Sequence, residues 1–141
     1  MGVRIVIDST ANVRKDYADK FTIVPLTVNF GTESFADGVE IDNDTFYRKL
    51  TTSDVMPTTS QPTPDAFAQV FEEAVNAGDE VVVITISSRL SGTYQTACGA
   101  REIVDNRENI TVFNSRTLCG PHRYMVQRAQ QLKEEGKTKQ E

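Results

Sequence analysis

Ser87-Ser88-Arg89-Leu90-Ser91-Gly92-Thr93 lies between an apolar segment, residues 81–86, and a helical pattern that begins near Tyr94. Its composition is that of an anion-binding turn. Backbone N–H groups at a helix start lack partners within the helix, and the positive end of the helix dipole adds to their pull on a carboxylate or phosphate. Gly92 lets such a group approach the backbone closely, and the hydroxyls of Ser87, Ser88, Ser91 and Thr93 supply further donors. Plain helix capping, a common use of Ser and Thr, fits the same residues.

Enzymatic readings of the Ser91-Gly92-Thr93 turn, as a hydrolase or a phosphotransferase, find little else to support them. A serine nucleophile needs a base and an orienting acid, yet the sequence has no Gly-x-Ser-x-Gly elbow and its single histidine is His122. A phosphate-binding loop of the form Gly-x-x-x-x-Gly-Lys is also missing. The expectation is no catalytic residue, no cofactor and no metal.

Charge narrows the partners. Fifteen Lys and Arg against twenty Asp and Glu leave a net charge of -5, without the basic stretch that binding to nucleic acid requires. No apolar run approaches the ~20 residues of a membrane span. Two cysteines, Cys98 and Cys119, make no disulfide framework, and the N-terminus does not read as a secretory signal, so a cytoplasmic protein is expected.

The elements that carry the turn follow from periodicity. Residues 3–8 form a β-branched run that predicts an opening strand feeding Asp8-Ser9-Thr10. Residues 12–20 predict a short helix with Val13, Tyr17 and Phe21 on its core side. Residues 22–30 predict one strand, with Pro25 at an edge or bulge because it has no N–H for a ladder, and Gly31 ending it. Asp37-Gly38 is a turn dipeptide flanked by Phe35 and residues 39–41, a small hairpin or an irregular loop.

Asp42 or Asn43 caps a helix to about Leu50, with Phe46, Tyr47 and Leu50 inward. Residues 51–64, with Pro57, Pro62 and Pro64 among many Ser and Thr, predict a polar binding loop. After Thr63 as cap and Pro64 in the first turn, Phe67, Val70, Phe71, Ala74 and Val75 recur at helical spacing until Gly78. The continuous apolar run 81–86 predicts a strand covered on both faces. A helix after Ser91 to about residue 105, a strand over 110–113 and a helix over 121–135 complete the chain. His122 then sits at a helix start on the surface. The fold class is α/β: a layered, mostly parallel sheet with helices on both faces.

Four segments in this order, Ile7-Asp8-Ser9-Thr10-Ala11, Asp37-Gly38-Val39-Glu40-Ile41, Pro57-Thr58-Thr59-Ser60-Gln61-Pro62 and Ile86-Ser87-Ser88-Arg89-Leu90-Ser91-Gly92-Thr93-Tyr94, resemble the DegV family of bacterial fatty-acid-binding proteins over nearly the whole chain. The resemblance implies a protein that holds a long-chain fatty acid in a buried tunnel, makes no covalent bond itself, and presents the acid to a separate ATP-dependent fatty-acid kinase. Carried over by position, Thr59 and Ser91 match the family's carboxylate-binding hydroxyls. Gly92 and Thr93 would lie beside the carboxylate, and Ser60 and Ser9 are second-rank candidates. Phe67, Val70, Phe71 and Ile103 are open to two readings, tail lining or ordinary core. Residues 1–141 match the N-terminal domain of the family, with its C-terminal domain absent from the sequence. A domain that folds but no longer retains ligand is therefore the remaining alternative.

Overall fold

A computed structural model describes residues 2–141. Four strands, β1 (Val3–Asp8), β2 (Thr22–Val24), β6 (Glu80–Thr85) and β7 (Ile110–Asn114), form a parallel sheet in the order β2-β1-β6-β7. Three more, β3 (Thr27–Phe30), β4 (Glu33–Ala36) and β5 (Thr58–Ser60), form a small antiparallel sheet in the order β4-β3-β5. The helices are α1 (Asn43–Thr52), α2 (Pro64–Asn76), α3 (Thr93–Ile103) and α4 (Cys119–Glu134).

Period-two alternation divides the apolar residues of β1 and β6 between two cores. Val6, Val81 and Val83 pack with Phe67 and Phe71 of α2 and Ala97 and Ala100 of α3. Ile5, Ile7 and Ile84 point the other way, toward Val126 of α4. The layered α/β architecture expected from the sequence is thus present, with two helices on one face of the parallel sheet and α4 on the other. Phe67 and Phe71 are wholly buried with ring centroids 5.8 Å apart, so both belong to the core, while Ile103 is 68% exposed.

Several local expectations change. Residues 12–20 do not make a helix; only the 3-10 turns Ser9–Ala11 and Ala18–Lys20 form. Asn12 sits in the left-handed region at φ 49°, which ends the first turn, and Arg14 pairs with nearby Asp16. The single strand over 22–30 is two strands in different sheets, divided at Pro25, where a missing N–H interrupts the ladder. The hairpin turn is Gly31-Thr32 rather than Asp37-Gly38: Phe30 pairs with Glu33, and Gly31 takes the positive φ of 63° that a two-residue connection demands. Residues 39–41 supply only an isolated bridge, Asp37 to Ile41.

The loop expected over 51–64 contains β5, paired antiparallel to β3, and its first two residues finish α1. Tyr47 is 62% exposed, contrary to the inward placement, because α1 packs chiefly through Phe46 on Phe30. Finally, α4 starts at Cys119, two residues early.

Truncating Phe71 to alanine should destabilise the fold by about 3–5 kcal/mol, the usual range for a buried phenylalanine, as read from urea denaturation. A second prediction concerns the α1 cap. Hydrogen bonds from the Thr45 side chain and backbone N–H hold the Asp42 carboxyl below its ordinary value of 3.8. A lowered folded pKa gives stability that is present above the unfolded value and lost as pH falls through the folded one. Asp42→Asn keeps the accepting oxygen but does not titrate, so it should flatten the acid limb of the melting temperature as pH falls below the ordinary carboxylate range.

Candidate functional site

The parallel sheet reverses its order of addition between β1 and β6: β2 lies on one side of β1, and β6 followed by β7 lies on the other. Open α/β sheets leave a crevice outside the carboxyl ends of their strands at such a switch point. Here the residues flanking it are Asp8-Ser9-Thr10 after β1 and Ile86 to Gly92 after β6.

Asp8 is fully buried and closes this end of the sheet. Its Oδ2 accepts the Ile86 N–H at 2.6 Å, and its Oδ1 accepts the Thr10 N–H at 2.9 Å and the Thr10 hydroxyl. His122 completes the cluster from α4, with Nε2 donating to the Ile84 carbonyl at 3.1 Å and Nδ1 facing Thr10 Oγ1 at 3.4 Å. The surface placement expected for His122 is therefore wrong. With α4 beginning at Cys119, His122, Val126 and Gln130 fall on one inward stripe at intervals of four. Ser9 Oγ accepts the Leu26 N–H at 3.0 Å, fastening the entry to β3. Ser9 also borders a cavity of about 380 Å³ shared with Asp8, Asn12, Lys15, Asp37 and Asp42.

Within the turn after β6, the hydroxyls divide by task. Ser87 Oγ accepts the Arg89 N–H at 3.2 Å, and Ser88 Oγ accepts Asn114 Nδ2 at 2.7 Å. Both serve to shape the turn. Ser91 Oγ and Thr93 Oγ1 instead lie 2.8 Å apart, and the Thr93 N–H reaches Ser91 Oγ at 3.3 Å. Two hydroxyls bonded to each other consume one hydrogen, leaving the other free to donate outward. Gly92 is the residue before α3, and its N–H has no protein acceptor among the described residues. The turn thus offers an uncharged donor set at the start of an 11-residue helix.

The second hydroxyl segment reaches this turn through Gln61. Gln61 Nε2 donates to Thr96 Oγ1 at 2.9 Å, and the Thr96 hydroxyl donates in turn to the Gly92 carbonyl at 3.0 Å. The contact with Gly92 is so close that a Cβ built there would sit 2.1 Å from Gln61 Oε1. Alternation along β5 puts Thr59 on the same side as Val28, its partner across the ladder. Thr59 is two residues from Gln61, a span of at most about 7 Å, and Ser91 adjoins Gly92. Ser60 faces the opposite side, where its hydroxyl accepts Asn29 Nδ2 at 3.0 Å. Gln61 therefore ties the end of the segment that carries Thr59 to the Ser91-Gly92-Thr93 turn. Ser60 is bound elsewhere, and Ser9 borders the separate cavity. Gln61 carried no site role in the sequence reading, although it closes the Thr-Thr-Ser-Gln-Pro segment.

Chemically, Ser91 is paired with another hydroxyl rather than with an imidazole or carboxylate. Among the described residues, no three His, Cys, Asp or Glu side chains gather to hold a metal, and no helix is long and apolar enough to cross a membrane. A hydroxyl-bearing turn thus stands beside the switch point of a layered α/β sheet. The family model for uncharacterised proteins of the DegV family matches residues 2–141, and the chain belongs to that family.

A DegV domain-containing protein of Caldanaerobacter subterraneus is 38% identical over 141 residues, covering 99% of this chain and 50% of its own. Among solved structures, a stearic acid-binding protein from Eubacterium ventriosum superimposes with a TM-score of 0.91 at 32% identity, covering 99% of this chain and 50% of that one. A fatty acid-binding DegV family protein from Thermus thermophilus gives 0.88 at 34% identity, with the same coverage. The chain spans about half the length of these relatives.

Asp8→Asn tests the closure at the strand ends. Its amide nitrogen would face an N–H or hydroxyl donor in either orientation, so stability should fall by about 1–3 kcal/mol in chemical denaturation, whereas Ser9→Ala, at a half-buried site with one bond, should cost less.

Proposed function

We propose that this domain holds the carboxylate of a long-chain fatty acid between Thr59 and Ser91, with Gly92 and Thr93 beside it and Ser60 and Ser9 in outlying, supporting places. The observation that carries the reading is the docking of the Thr59 strand onto the Ser91-Gly92-Thr93 turn through Gln61. Relatives at 32% and 34% identity that bind stearic acid or another fatty acid support the choice of ligand.

The acyl tail supplies most of the affinity, at about 0.8 kcal/mol for each buried CH₂, while a charge-assisted hydrogen bond adds about 1.5–3 kcal/mol. The hydroxyls therefore orient the head and spare it the cost of an unpaired buried charge. Neutral donors leave a carboxylate oxygen open to a reacting partner, where a bidentate arginine would grip both. On this reading the protein is a cytoplasmic carrier rather than an enzyme, and it presents the acid to an ATP-dependent fatty-acid kinase, as the family resemblance implies. The Ser91–Thr93 pairing speaks against a serine hydrolase.

Thr59→Ala and Ser91→Ala should each weaken oleate binding about tenfold in a fluorescence displacement assay, with little change in melting temperature. Unchanged affinity in both would remove the two residues from the site. Native mass spectrometry of the purified chain should show a co-purified acyl chain, and ester hydrolysis abolished by Ser91→Ala would favour the enzyme instead.

A further inference from the structure

We propose that Gln61 is a positioning residue: a latch that fixes the strand carrying Thr59 at a set distance from the Ser91-Gly92-Thr93 turn and thereby makes the paired hydroxyls selective for a carboxylate. The second half of this statement rests on the fatty-acid reading above; the latch itself rests on geometry alone.

Proton counting fixes the orientation of the amide. The only hydroxyl hydrogen of Thr96 is engaged with the Gly92 carbonyl, so Thr96 Oγ1 can only accept from Gln61, and Nε2 is the atom that faces it. Oε1 is then turned onto the Cα of Gly92. Gly92 has φ -73°, which any residue adopts, so a side chain there would be resisted only by the Gln61 amide, 2.1 Å from where its Cβ would stand, and would have to push that amide off Thr96. Thr96 is 9% exposed and braced from within its own helix, which gives the latch a rigid anchor.

Apart from buried Pro62 and the start of α2 beyond it, Gln61 is the side chain that ties β5 to α3. β5 is three residues long, all of them exposed, and its ladder partner β3 belongs to the small sheet rather than to the sheet that carries the turn. Without Gln61, the Thr59 strand stays paired to β3 but loses its tie to α3. A carboxylate held through both oxygens needs its two donors at one fixed spacing, so loosening the strand should harm an acid more than an uncharged lipid of the same chain length.

The test uses the parent chain, Gln61→Ala, Thr96→Val and Thr96→Ser. Thr96→Val removes the acceptor, while Thr96→Ser keeps it and should behave like the parent. In the first measurement, amide hydrogen exchange across 58–61 should quicken at least tenfold in Gln61→Ala and Thr96→Val, with the β3–β4 hairpin unaffected; unchanged exchange there overturns the latch. In the second, affinities for oleic acid and methyl oleate are compared. The latch-broken variants should lose about tenfold in acid-over-ester preference, whereas a purely structural defect would lower both affinities alike and overturn the selectivity role. A parent that binds neither probe would overturn the fatty-acid reading and the selectivity role with it, and the exchange measurement alone would then decide the latch.

Discussion

The buried carboxylate of Asp8 is the constraint on which the rest of this end of the molecule depends. Parallel strands meet side by side, but their exits are free to diverge, and β1 and β6 send their chains to opposite sides of the sheet. By accepting from Thr10 on one exit and Ile86 on the other, Asp8 joins the two loops across the switch point. A carboxylate satisfied by three donors can be buried where an unpaired one would be driven out. His122 extends this closure to α4, so the sheet ends, the hydroxyl turn and the last helix form one hydrogen-bonded unit. The second sheet joins the unit at two polar points, Ser9 to the Leu26 N–H and Gln61 to Thr96.

Where hydrophobic periodicity was strong, the sequence foretold the structure. Phe67, Phe71 and Ala74 mark α2, and the unbroken run through Val81–Val83 marks a strand covered on both faces. It was silent where pairing is decided by distant partners. Thr58–Ser60 has no apolar residue to reveal a strand, and its conformation comes from pairing with β3 some thirty residues away. Pro25 announced an interruption, but not that the chain changes sheets there. His122 was misplaced because a lone histidine near a helix start carries no periodic signal until the helix boundary is known.

The site was legible in residue type more than in assignment. Ser91, Gly92 and Thr93 stood out as a hydroxyl-and-glycine turn, and they do stand together at the start of α3. Which of the neighbouring hydroxyls are already engaged, Ser87 and Ser88 within the turn and Ser60 with Asn29, depends on side-chain direction. A single strand step separates Thr59 from Ser60, yet it sends them to opposite faces. Gln61 escaped notice because an amide beside a run of Ser and Thr looks like one more loop polar group; its meaning appears only with Gly92 against it.

The pairing of Ser91 with Thr93 carries an electrostatic consequence. Both groups are neutral, so an anion resting on them would be oriented without being neutralised, and its full charge would remain visible at the mouth of the site. In a molecule that is net acidic, a negative charge left standing there would add to the field of the surrounding carboxylates rather than cancel against it.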